Sequence, residues 1–154
     1  VIPQVLNLNL TIESMIKMLN RLIGEGIQLR WIPQHNLPTV KMDPTQIDQV
    51  LVNLCLNARD SVVGEGFVTL KTEAVTLDDA YCTAHAGTTP GEFVHLSIHD
   101  NGTGMEAGVL EHIFEPFFST KKLGHGTGLG LATVYGIVQQ NRQTMAMLVM
   151  TATI

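Results

Sequence analysis

The strongest constraint on the fold lies at residues 43–46, where Asp43, Pro44 and Gln46 spell the start of a helix. Aspartate caps orphan backbone N–H groups, proline is tolerated at the first helical position, and a glutamine three residues after the cap can reach back to it. Apolar spacing then predicts a helix over residues 44–63, with Ile47, Val50, Leu51, Leu54, Ala58 and Val62 on its buried face. Asn53, Asn57 and Asp60 fall in a second row at the edge of that face. A chain built around this helix holds three small polar side chains in line beside its core.

Upstream, Ile12, Met15, Ile16, Leu19, Leu22 and Ile23 recur at helical spacing, with Glu13, Lys17 and Arg21 opposite, until Gly24 and Gly26 end the run. Ile27, Leu29 and Trp31 then alternate with Gln28 and Arg30 as in a half-buried strand, which the stretch between Pro33 and Pro38 closes. Beyond the long helix, residues 67–75 and 93–99 alternate again, joined by a loop rich in Thr, Asp, Gly and Ala. In the second of these strands Val94, Leu96 and Ile98 share one side, while His95 and Ser97 take the other. A last helix opens in the glycine cluster at 124–130 and turns Leu131, Val134, Tyr135 and Val138 inward. Residues 141–154 leave room for one strand, whose Met145, Met147 and Met150 suit packing; left unpaired, it is an apolar edge open to aggregation. No repeat or low-complexity tract is visible. Helices and strands alternate irregularly over a single domain, residues 1–154, which implies an α/β two-layer sandwich of a mixed sheet covered on one face by helices.

Composition excludes several classes. A chain of 154 residues that is 45% apolar can bury a substantial core. Nine Lys and Arg against fourteen Asp and Glu give a net charge of -5, which argues against a broad nucleic-acid or anionic-membrane surface. Cys55 and Cys82 lack the spacing of a zinc site or disulfide framework, so a reducing compartment is expected. No apolar run approaches the ~18 residues of a membrane span. Val1 opens no charged-then-apolar leader, and the expectation is a soluble piece of a longer protein.

Three features carry chemistry. The cluster from Gly124 to Gly130 leaves backbone N–H groups uncovered against a helix N-terminus, a setting that favours phosphate. A mobile linker is the plain alternative, and the cluster is neither a Walker loop nor a dinucleotide fingerprint. Asp100 ends a strand and leads into Gly102 and Gly104, so its carboxylate can accept from an adenine amine while the glycines let a flat ring approach. Asp-Asn-Gly is equally the signature of a turn. The oxygens of Asn53, Asn57 and Asp60 are hard ligands suited to Mg²⁺ that already carries waters and nucleotide phosphates, or else form an ordinary polar helix edge.

The order of these features resembles the catalytic, ATP-binding domain of sensor histidine kinases, within the Bergerat-fold group that includes DNA gyrase, Hsp90 and MutL. Asn53-Leu-Cys-Leu-Asn57-Ala-Arg-Asp60 is similar to the asparagine box, and Asp100-Asn-Gly-Thr-Gly104-Met to the first glycine box. Ile113-Phe114-Glu-Pro-Phe-Phe118 is similar to the phenylalanine box, and Gly126-Thr127-Gly128-Leu129-Gly130-Leu131 to the second glycine box. The resemblance runs from about residue 6 to residue 140. It implies that Asn57 coordinates Mg²⁺, with Asn53 assisting, and that Asp60 lies in the nucleotide site. It further implies that Asp100 bonds the adenine amine, and that Gly102 and Gly104 shape the adenine pocket. The stretch from Phe114 to Gly124 would be a mobile lid, Lys121 or Lys122 would reach phosphate oxygens, and the run from Gly126 to Gly130 would carry the triphosphate. Arg59 is a further candidate for a phosphate contact.

One position discriminates within the group. The hydrolytic members carry a glutamate one helical turn before the metal-binding asparagine, where it can activate water as a general base. Here that position is Asn53, an amide that cannot take a proton. Transfer of the γ-phosphoryl group to a protein histidine is favoured over hydrolysis. A hydrolytic ATPase and a non-catalytic nucleotide-binding module are the alternatives. None of His35, His85, His95, His99, His112 and His125 has the setting of a phosphoacceptor, and His95 and His99 are expected to face outward. The implied partners are ATP, a histidine-bearing dimerisation domain outside this chain and, through it, a response regulator. No nucleic acid and no direct membrane contact are expected. The implied location is the cytoplasm, or the cytoplasmic part of a membrane-bound sensor. Residues 141–154 depart from the family, whose members continue through a hairpin with another Gly-Thr.

Overall fold

Asn7 opens the first helix of the computed structural model, which describes residues 2–84, 89–100, 129–141 and 147–152. Its side chain accepts from the N–H groups of Asn9 and Leu10, and helix α1 (Leu8–Ile23) runs to Gly24, whose φ of 84° suits glycine. Leu8, Ile12, Met15, Leu19 and Ile23 form the buried face, and Ile16 and Leu22 pack beside it. Strand β2 (Ile27–Ile32) follows, alternating half-buried and exposed as its sequence does.

Helix α2 (Pro44–Ser61) begins at the expected cap and buries Ile47, Val50, Leu51, Leu54, Cys55 and Ala58. It stops two residues before the expected end at residue 63: the β-branched Val62 already has extended backbone, and Gly64 follows at φ 74°. Then come β4 (Gly66–Leu77) and β5 (Gly91–Asp100), with a short helix, α3 (Asp79–Ala84), where sequence reading expects only loop. Its start is set by Asp78, whose carboxylate accepts from the Tyr81 N–H at 2.7 Å. Helix α4 (Leu129–Gln140) and strand β6 (Met147–Ala152) complete the order.

The main sheet has the order β2-β4-β5-β6, with β2 and β4 parallel, β4 and β5 antiparallel, and β5 and β6 parallel. The segment after α4 therefore joins the sheet as an edge strand. Val68 and Leu70 of β4, with Val94, Leu96 and Ile98 of β5, form the core with the buried faces of α1, α2 and α4. Two further strands, β1 (Gln4–Leu6) and β3 (Val40–Met42), pair antiparallel as a separate ribbon absent from the sequence-based expectation. The fold is thus the expected α/β arrangement of a mixed sheet with helices.

Two facing assignments need correction. Tyr135, expected inward, is 47% exposed, and Ile137 takes the inner position with Val134. The inner line at 134, 137, 138 and 141 has ordinary helical spacing, and Tyr135 lies off it. Ser97, expected on the outer side, is buried, as is Phe93, while His95 is half-buried and His99 exposed.

The chain also uses one pattern twice. A ribbon strand, a helix, the tripeptide Gly-Glu-Gly and a sheet strand occur as β1-α1-β2 and again as β3-α2-β4. The two turns are joined by the Gly66 N–H donating to the Gly26 carbonyl at 3.0 Å, which sets the parallel register of β2 on β4.

Candidate functional site

The polar row on α2 lies beside the core because its helix is fixed on both flanks, packed against α1 on one side and α4 on the other. Asn53 and Asn57 are half-buried there. Among the described residues neither side-chain amide has a hydrogen-bond partner, whereas amides in such places are ordinarily bonded. Gly130, in the first turn of α4, faces this row: a β-carbon built on it would sit 3.6 Å from Asn53 Oδ1. The start of the helix that follows the second glycine cluster is therefore brought against the first asparagine of the row. Asp100 is the last residue of β5, paired in register with Val68, and β5 packs beneath α2.

Asp60 accepts from Arg59 Nε and Nη2, both at 3.3 Å. Arg59 Nη1 also donates to the Leu22 carbonyl at 3.1 Å, in the last turn of α1. Arg59 thus closes the C-terminal end of α1. Gly102, Gly104, Phe114, Lys121, Lys122, Gly126, Thr127 and Gly128 lie outside the described residues, and Leu129 is described by its backbone alone.

Sequence reasoning missed one polar group. Gln46, expected to fold back on the Asp43 cap, instead donates from Nε2 to Gln140 Oε1 at 2.9 Å and accepts from Asn141 Nδ2 at 3.2 Å. The available signal was its place four residues before Val50, on the buried side of α2.

Asp43 needs no help from Gln46. Its carboxylate accepts from the Thr45 hydroxyl at 2.7 Å, the Ile2 N–H at 2.8 Å and the Thr45 N–H at 2.9 Å, and these bonds hold its pKa below the ordinary value. A lowered folded-state pKa contributes stability above the unfolded pKa, and that contribution fades as pH falls toward the folded value. Melting temperature followed from pH 7 down to 3 is expected to fall less steeply in Asp43→Asn than in the native chain, from a lower starting point. A residual slope is expected from Glu73, whose pKa is lowered by its 3.0 Å hydrogen bond with His95. Identical slopes would remove Asp43 as an acid-sensitive cap.

Burial pushes the Cys55 thiol up to about 12, while Cys82 lies outside the core; both are free. At pH 8, a thiol reagent is expected to label Cys82 well before Cys55, because Cys55 is buried and its thiolate, the form that reacts, is disfavoured there. Equal rates would mean that the core at α2 is open.

Among the described residues no group of three His, Cys, Asp or Glu is placed to hold a metal, and no helix is long and apolar enough to cross a membrane. Among the described residues the two half-buried carboxamides of the row stand without a hydrogen-bond partner, and their oxygens are of the hard type that suits a cation such as Mg²⁺; Asn53 is the one placed against the first turn of α4.

A family profile described as "Histidine kinase-, DNA gyrase B-, and HSP90-like ATPase" matches residues 42–148. Sensor kinase CckA of Brucella abortus is 43% identical over 138 residues, covering 90% of this chain and 15% of its own length. Sensor histidine kinase ZraS of Escherichia coli O157:H7 is 35% identical over 143 residues, covering 92% of this chain and 28% of its own. The chain thus spans less than a third of either relative. Among solved structures, the nucleotide-free catalytic domain of histidine kinase ThkA superposes with a TM-score of 0.65 at 26% identity, covering 92% of this chain and 82% of that one. Full-length ShkA in complex with AMPPNP gives a TM-score of 0.66 at 26% identity, covering 88% of this chain and 26% of that one. The match spans both the asparagine-bearing helix and the glycine-led helix that faces it, and the chain belongs to the histidine kinase, DNA gyrase B and HSP90-like ATPase family, in which the relatives above are sensor histidine kinases.

Proposed function

We propose that this domain binds Mg²⁺-ATP between α2 and the glycine-led start of α4, and passes the γ-phosphoryl group to a histidine on a separate dimerisation domain. The observation that carries this reading is Asn53: an amide facing Gly130 stands where a hydrolytic member would carry a general base. Without that base, the work left to the protein is positioning and charge stabilisation, the main sources of catalysis in phosphoryl transfer. Asn57, with Asn53 beside it, would hold Mg²⁺, which when bound neutralises phosphate charge. Asp60 would border the same site, and Asp100 would orient the adenine. Gly102, Gly104 and Phe114 would shape the pocket and lid. Lys121 and Lys122, with the N–H groups from Gly126 through Thr127, Gly128 and Leu129 to Gly130, would meet the triphosphate. A response regulator would receive the phosphoryl group from the histidine, in the cytoplasm where ATP is supplied.

The test mixes the chain with a separately made, histidine-bearing dimerisation domain and γ-labelled ATP. Acid-labile label on the added domain is the expected result. ATP binding without transfer would return the reading to a non-catalytic nucleotide module, and phosphate release without an acceptor would return it to a hydrolytic ATPase.

A further inference from the structure

Helices α2 and α4 touch at two points that run in opposite directions along the chain. Gly130, near the start of α4, meets Asn53, while Asn141, just past the end of α4, meets Gln46 in the first turn of α2. From Gln46 to Asn53, the middle of α2, is about 10 Å along a helix, and from Gly130 to Asn141 about 16 Å, so the contacts pin α4 at both its ends against an antiparallel α2. Between them lie Val134, Ile137 and Val138, whose apolar packing lacks direction and tolerates small slides or rotations.

The far contact is directional. Gln46 and Asn141 are each 7% exposed. Gln46 Nε2 donates to Gln140 Oε1 at 2.9 Å, and Asn141 Nδ2 donates to Gln46 Oε1 at 3.2 Å and to the Ile137 carbonyl at 2.8 Å. The Asn141 N–H closes the helix on the Ile137 and Val138 carbonyls, both at 3.2 Å. A shift of α4 by one residue, about 1.5 Å of rise and 100° of rotation, would break every bond to Gln46.

We infer that the buried amide clamp of Gln46 and Asn141 is a positioning device for the nucleotide site, setting the axial register of α4 so that its glycine-led start lies against Asn53. The inference rests on the proposed nucleotide site for its functional consequence. Neither clamp residue touches nucleotide; each acts through the placement of Gly130.

The test compares the native chain with Gln46→Leu/Asn141→Leu, which removes the two buried amides together and leaves the exposed Gln140 side chain free to bond water, and with Gln46→Met, which keeps the side-chain length. Ile137→Val, which trims the same interface without touching the bonds to Gln46, is the control. Two quantities are read below the melting temperature: affinity for a non-hydrolysable ATP analogue with Mg²⁺, and the amide resonances of Gly130 and the Asn53 side chain without nucleotide. The clamp variants are expected to bind about tenfold more weakly and to shift both resonances, because misplacements near 1 Å at a site cost that much or more. The control is expected to stay within about twofold, because it trims one buried methyl group and leaves the bonds to Gln46, and with them the register of α4, in place. Native-like affinity in a folded clamp variant, or losses that merely follow melting temperature in the control as well, would overturn the inference. If the native chain binds no analogue, the proposed nucleotide site fails. The unliganded resonances still judge the clamp: unmoved signals overturn it, and displaced signals confine its role to helix register.

Discussion

Exchanging Asp100 for asparagine is expected to weaken binding of an ATP analogue by about ten- to a hundredfold, the loss of a hydrogen bond made by a charged group. The substitution keeps the size and shape of the side chain at the end of β5 and removes its charge. Asparagine can turn its N–H₂ toward the adenine amine, opposing two donors where the aspartate offers only acceptors. Because Asp100 terminates a strand held by its antiparallel pairing with β4, the backbone around it has little reason to move. Titration calorimetry on both chains, with thermal melting as the control for folding, checks the expectation. Equal affinities would detach the adenine from Asp100 while leaving the rest of the site standing.

Leu51→Ala is expected to cost about 2–5 kcal/mol of stability, the range for removing most of a large side chain from a core that cannot collapse around the loss. Leu51 has no exposed surface and sits in α2, the helix that packs against both α1 and α4. For a domain of this size the corresponding drop in melting temperature is about 4–20 °C. Circular dichroism melts would reveal it, and a loss under about 1 kcal/mol would mean that the neighbouring helices close over the gap.

What the sequence disclosed depended on how local each signal was. Asp43 and Pro44 fix the start of α2 within a few residues, and its apolar spacing is uninterrupted, so helical spacing alone puts Asn53 and Asn57 in one row. The ribbon of β1 and β3 escaped notice because three residues are too few to show a two-residue period, and the partners lie far apart in the chain. Gln46 eludes sequence reading for a related reason: local capping grammar names Asp43 as its partner, while the actual partners, Gln140 and Asn141, are nearly a hundred residues away. The apolar pattern of α4 points Tyr135 inward, and only the packing of Val134 and Ile137 against α2 shows which way α4 is turned. Asn53 could be recognised as an amide from sequence alone, but its approach to Gly130 is a property of the folded chain.

The paired segments β1-α1-β2 and β3-α2-β4 bear on how the domain folds. Each ribbon strand needs the other, each sheet strand meets its counterpart across the Gly26–Gly66 bond, and each helix spends much of its apolar face on its twin. Neither segment has a finished core of its own, so the first half of the chain should cross its folding barrier as one cooperative unit. Cutting between the halves would leave two fragments that gain structure only on meeting.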